Sequence, residues 1–188
     1  MRTPAAESQA TVSVGMAIAL GALSMTFAAV LLAYAVVRVQ APAWPPPGEA
    51  APPSVWPWPL AATLFALSGS VTMSMARRKA VTPAPRLLRP LLLTAGAGIA
   101  FVVIQISAWV WLVRSGLRPS TGLVTSVVYA LTAFHALHAL AAVIALLPAI
   151  VRAWRNKVVR PASLGAVGSL WHLVTIVWVV VFVAVFVA

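Results

Sequence analysis

The chain has 188 residues, 62% hydrophobic and 8% charged, with a mean hydropathy of +1.01, far from the quarter or so of charged residues in soluble domains. Thirteen Lys and Arg face two acids, Glu7 and Glu49, for a net charge of +11. The basic residues cluster between apolar runs instead of striping a soluble surface, so they read as membrane topology and headgroup contact and exclude nucleic-acid binding. Without cysteine there is no disulfide, thiolate metal site or redox thiol.

A membrane span needs about 20 apolar residues to cross a hydrocarbon core of roughly 30 Å. Five stretches qualify, at 12–37, 56–76, 88–113, 121–151 and 166–188, which predicts one all-α, polytopic membrane bundle over 1–188. The first stretch follows no adjacent basic segment and outruns a signal-peptide core, so it is expected to stay in the mature protein. The connection 40–59 holds Trp44-Pro45-Pro46-Pro47 and Pro52-Pro53, the pattern of an extended, polyproline-like external loop. Small residues recur four apart in the second stretch (Ala66 and Ser70, Ser68 and Thr72) and the third (Thr94 and Gly98, Gly96 and Ala100). They point to close helix packing within the chain ahead of a dimer face.

Orientation follows from loop charge, because Lys and Arg stay cytoplasmic. Arg77, Arg78, Lys79, Arg86 and Arg89 follow the second span, and Arg152, Arg155, Lys157 and Arg160 follow the fourth. The other two connections carry only Arg38 with Glu49, and Arg114 with Arg118, so the expected topology is N-in, C-out. Trp44, Trp56, Trp58, Trp109 and Trp111 then gather at the outer interface and Trp154 at the inner one. Arg77, Arg78, Lys79, Arg86, Arg89, Arg152 and Arg155 become candidate contacts for phospholipid headgroups.

Ionisable groups inside a span are functional candidates by default. Neither acid falls in a span, which removes an intramembrane proton relay, cation site or general base and argues against a pump or ion-coupled transporter. What remains at depth is His135, His138, His172, Tyr34, Tyr129 and Gln105. His135 and His138 share one helical face, a spacing that permits metal or haem ligation, with His172 on the next span as a conceivable second axial ligand. Their depths differ by roughly 10 Å at 1.5 Å per residue, which disfavours an axial pair. The preferred reading has neutral imidazoles hydrogen-bonding between helices, with no catalytic residue, cofactor or metal in this chain. The rival is a b-haem anchor passing electrons to or from quinone.

Phe134-His135-Ala136-Leu137-His138 resembles the G-F-H-G-L-H segment of the haem–copper oxidase subunit III family, and Leu170-Trp171-His172-Leu173-Val174-Thr175-Ile176-Val177-Trp178 resembles its Y-W-H-F-V-D-x-V-W. Pro59, Thr63-Leu64 and Leu67-Ser68-Gly69-Ser70-Val71-Thr72-Met73 are similar to P-L-x-N-T-x-x-L-x-S-S-x-T-M, and Gly15-Met16 with Ala33-Tyr34 to the family's G-M and A-Y. The matches keep their order over about 170 residues. The departures remove charge: the family's Ser-Glu pair falls on Ala22-Leu23, its E-Y or E-W pair on Ala108-Trp109, its Asp on Thr175, and the motif glycines on Ala133 and Ala136. The resemblance implies a short, five-helix, non-catalytic accessory subunit of a respiratory oxidase reducing dioxygen to water. It would be docked on the catalytic subunit I and other oxidase subunits, with haem and copper in that partner, phospholipid bound to this chain and no small-molecule substrate of its own. An accessory subunit of a nitric oxide reductase is the near variant.

Overall fold

The computed structural model describes residues 4–44, 46, 57–79 and 85–187, and the side chains of 14–44, 46, 57–79 and 86–187. Among them it has five α-helices and no strand: α1 Pro4–Gln40, α2 Pro57–Arg78, α3 Pro85–Arg114, α4 Leu123–Trp154 and α5 Pro161–Phe182, the last running into a π-helical turn, Val183–Val187. Each of the five is long and apolar enough to cross a membrane. The chain is an all-α, multi-pass membrane protein.

The helices do not start where the apolar runs do. Four of the five helices begin at a proline, Pro4, Pro57, Pro85 and Pro161. Proline's fixed φ suits the first helical position, and its missing N–H is one that no intrahelical carbonyl would take. The helices therefore open at the prolines, as far as eight residues before the apolar runs at 12, 88 and 166 and one residue after that at 56. The loop expected to last to residue 59 gives way to helix at Pro57, and positions 45 and 47–56, including Trp56, lie outside the described residues.

Two helix ends share one closing geometry. After α3, Gly116 takes φ 84° while Leu117 N–H donates to Leu112 and Gly116 N–H to Val113. After α4, Asn156 takes φ 53° while Lys157 N–H donates to Arg152 and Asn156 N–H to Ala153. Both are Schellman closures, built on the residue types that tolerate the left-handed region.

Helices α2, α3, α4 and α5 form a ring of neighbours, and α1 leans chiefly on α5. Two apolar clusters fill the ring. Met73, Leu87, Leu91, Leu146, Leu164 and Trp171 occupy the end where α2 and α4 terminate, and Phe27, Phe101, Leu131, Trp178 and Val181 occupy the other half. Over its apolar 18-residue stretch only 6% of α1 is buried within the chain, against 33–44% for the same length of the other four. Its buried side chains, Phe27 and Tyr34, are seven residues apart on one stripe.

The tightest joint is a tryptophan in a glycine slot. A Cβ added at Gly69 on α2 would lie 2.9 Å from the Trp171 ring, and one added at Gly98 on α3 would lie 2.7 Å from that ring and 2.5 Å from Val143 Cγ2. Three helices and α4's Val143 thus meet where two side chains are missing. Gly96, on the outward face of α3, has nothing within 4 Å. The Thr94–Gly98 ridge therefore packs inside the bundle and Gly96 does not. Gly98→Ala is expected to lower resistance to denaturing detergent by about 1–3 kcal/mol through overpacking. Gly96→Ala should be neutral or stabilising by up to about 1 kcal/mol through helix propensity.

Candidate functional site

The intramembrane polar residues fall into three groups at three depths. In the middle, His135 is 1% exposed and boxed by the rings of Trp178, Phe101 and Phe27 at centroid distances of 5.1, 5.4 and 5.8 Å. Its Nδ1 is buried without a hydrogen-bond partner. Trp178 donates its Nε1–H to Thr63 Oγ1 at 2.9 Å, and Thr63 donates to the Pro59 carbonyl at 2.8 Å, which ties α5 to the first turns of α2. His138, one turn along α4, donates from Nδ1 to the Phe134 carbonyl of its own helix at 2.7 Å, since a carbonyl can only accept. Its ring packs on Phe134 and Phe27. The shared face of His135 and His138 thus meets aromatic rings of α1, α3 and α5.

His172 stands apart from that pair, between α5 and α2. Its Nδ1 is 2.9 Å from Ser70 Oγ and its Nε2 3.4 Å from Ser74 Oγ. Ser70 donates to Thr175 Oγ1 at 3.1 Å, and Thr175 donates to the Trp171 carbonyl at 3.1 Å. Because the Ser70 proton is committed to Thr175, the network assigns the proton of His172 to Nδ1 and leaves Nε2 to accept from Ser74. The result is an uncharged chain of donors between two helices. It lines an open groove with Leu67, Val71, Met75 and Arg78 that runs toward Arg77 and Arg78 at the helix end.

The third group sits where α1 and α3 end and α2 and α4 begin. Arg38 donates from one guanidinium nitrogen to Tyr34 Oη at 2.9 Å and to the Ala184 carbonyl at 3.1 Å. Tyr34 donates to the same carbonyl at 3.3 Å. Two side chains of α1 therefore hold one carbonyl of the π-helical turn, and the guanidinium also lies 5.7 Å over the Trp44 ring. Tyr129 donates to the carbonyls of Trp109 and Leu117, closing the α3–α4 turn, and Trp109 Nε1–H donates to Thr132. Gln105, 6% exposed, lines a cavity of about 170 Å3 at this end.

Arg77, Arg78, Lys79, Arg86, Arg89, Arg152 and Arg155 all fall at the opposite end of the bundle, at the close of α2 and α4 and the start of α3. Arg77 lays its side-chain stem over Gly168 of α5, where an added Cβ would meet its Cδ at 2.5 Å, and Arg152 donates to the Val158 carbonyl. Trp44, Trp58, Trp109 and Trp111 share the tryptophan end, and Trp154 stands exposed at the arginine end. Among the described residues no three of His, Cys, Asp and Glu converge on a metal-sized site. Of the partners, Ser74 was not singled out from the sequence, and Thr63, Ser70 and Arg38 were read there only as motif, small-residue and loop-charge positions. Ser70, Ser74 and Arg77 do recur three to four apart on α2, a polar stripe on an apolar helix that the sequence carries in plain view.

The Thr63–Trp178 bond gives a direct test. Thr63→Val leaves the buried indole N–H of Trp178 unpaired and is expected to cost about 1–3 kcal/mol in detergent unfolding. Thr63→Ser should restore most of it.

Comparison with known proteins agrees with this arrangement. The family model described as "Cytochrome c oxidase subunit III" matches residues 5–188. The chain is 29% identical over 179 residues, 92% of its length and 73% of the relative's, to "Cytochrome c oxidase subunit 3" from Synechocystis sp.. The match takes in α1 as well as the histidine-bearing α4 and α5, so the chain belongs to the cytochrome c oxidase subunit III family.

Proposed function

We propose that this chain is a non-catalytic accessory subunit of a bacterial terminal oxidase, docked in the plasma membrane on the subunit that holds haem and copper and reduces dioxygen to water. The observation that carries the reading, beside the family itself, is the exposure of α1. A 27-residue apolar span in which Phe27 and Tyr34 are the buried side chains is held by these two and Arg38 and offers its remaining surface outward. Such a helix packs equally well against lipid or a partner's helices, and its small residues, Gly15, Gly21 and Ala28, allow close approach. The chain's role is then to brace and seal the catalytic subunit. Phospholipid headgroups bind along Arg77, Arg78, Lys79, Arg86, Arg89, Arg152 and Arg155, with the arginine end cytoplasmic and both the tryptophan end and the C-terminus outside.

The b-haem alternative meets a packing obstacle. The void beside His135 is about 20 Å3, room for one water, and His172 is engaged on the other wall with Ser70 and Ser74. Ligation would require the aromatic box and the serine contacts to open together.

Mild detergent extraction followed by affinity purification of the chain is expected to bring down a large haem-containing subunit and the oxidase's donor-binding subunits. Recovery of the chain alone, or a Soret band in the isolated chain that a His138→Ala variant abolishes, would defeat the reading. In the assembled complex, His172→Ala should lower the recovered yield through loss of an interhelical bond worth about 0.6–2 kcal/mol, with the partner's haem spectrum unchanged. Topology is open to labelling because the chain has no cysteine of its own. Ser115→Cys should react with an impermeant maleimide in intact cells, and Lys79→Cys only after permeabilisation.

A further inference from the structure

The cavity at the tryptophan end is lined by α1, α2, α3, α4 and the π-helical turn that follows α5, and is not absorbed by the docking role. It measures about 170 Å3. A cavity of about 150 Å3 admits one benzene ring, so the space fits a single six-membered ring with small substituents. Its wall is mostly carbon, with the aromatic side chains of Tyr34, Trp44, Trp58 and Trp109 around it and, besides these, the polar side chains of Gln105 on α3 and Thr125 on α4. Tyr34 and Trp109 spend their polar hydrogens elsewhere, on Ala184 and Thr132.

Gln105 and Thr125 are the unusual members. They are 6% and 8% exposed, and neither hydrogen-bonds to any described residue. Nor are their polar atoms sealed in the protein: among the described residues the sealed, unpartnered side-chain atom is His135 Nδ1. The residual exposure of both therefore faces the cavity they line. An amide this buried without a protein partner is costly, and an occupant able to bond it would remove that cost.

We propose that this cavity binds the headgroup of a membrane-dissolved quinone or quinol, ringed by the tryptophans and hydrogen-bonded by Gln105, with Thr125 as a second polar contact. The chemistry matches on three counts. The volume suits one ring, and aromatic walls favour a planar π-system. A primary amide donates to a quinone carbonyl and accepts from a quinol hydroxyl, so one side chain serves both oxidation states. An acyl chain would fill the volume and leave both polar groups unpaired. Only binding is assigned, with no electron transfer through this chain.

The test uses the full chain purified in detergent micelles and titrated with duroquinone, which quenches tryptophan fluorescence on contact. Saturable quenching is expected, with half-saturation raised about tenfold in Gln105→Leu, which keeps the volume and deletes the amide. n-Decane should compete poorly, and durohydroquinone should compete well in the wild type. Ala108→Phe, which fills the cavity from its wall, should remove the saturable component. Quenching that rises without saturation and equally in wild type and Gln105→Leu would overturn the proposal in favour of a water-filled cavity. Effective competition by decane with no dependence on Gln105 would overturn it in favour of an acyl-chain slot.

Discussion

The bundle is organised around one indole. Trp171 reaches from α5 into a space that exists because α2 has Gly69 and α3 has Gly98 where other residues would place a methyl group or more. Between apolar helices in lipid there is little hydrophobic gain from association, so close packing has to supply it. A large flat ring inserted between two glycines gives each of the three backbones more dispersion contact than branched side chains at the same positions could. The slot also fixes the rotation of α5 and so determines where its other polar residues point.

With Trp171 seated, the adjacent His172 faces α2 and finds Ser70 and Ser74, and Thr175, one turn on, completes the hydroxyl chain. In the family pattern an acid stands at the position of Thr175. Here a hydroxyl takes it, so the side-chain hydrogen bonds that join α2 and α5 around His172 run between uncharged groups. Neutral interhelical bonds in a bilayer are modest individually, about 0.6–2 kcal/mol each. They add directionality to a joint whose strength comes from packing. Trp178, two turns from Trp171, repeats the arrangement nearer the tryptophan end, with its N–H on Thr63 and its ring against His135.

Helix α1 obeys different rules. It enters no slot, and its attachment is a polar clamp: Arg38 and Tyr34 converge on the Ala184 carbonyl within a π-helical turn. A widened turn leaves carbonyls less fully engaged by the helix itself. That gives a guanidinium at the membrane edge something to bind besides water. A helix clamped at one end and touched at Phe27 in the middle presents most of its surface to whatever lies beside the bundle. This suits a subunit whose work is done at an interface.

Composition and period alone determined the membrane class, the number of helices and the segregation of charge to one end. Lipid leaves a chain this apolar few options, and every antiparallel crossing carries the loop charges with it. The order of the histidine and tryptophan motifs was likewise legible as a family resemblance. The apolar spans were legible and the helix starts were not, because hydropathy marks where lipid begins whereas the prolines mark where helical geometry begins. Which polar residues meet was beyond the sequence. Three histidines inside the spans looked alike, yet one is boxed in rings, one bonds its own backbone and one bridges to serines, because the rotation of each helix is set by glycine vacancies on its neighbours. The unpaired Gln105 was equally invisible. In the sequence it is one amide in an apolar run, and only the convergence of five helix ends gives it a cavity to face.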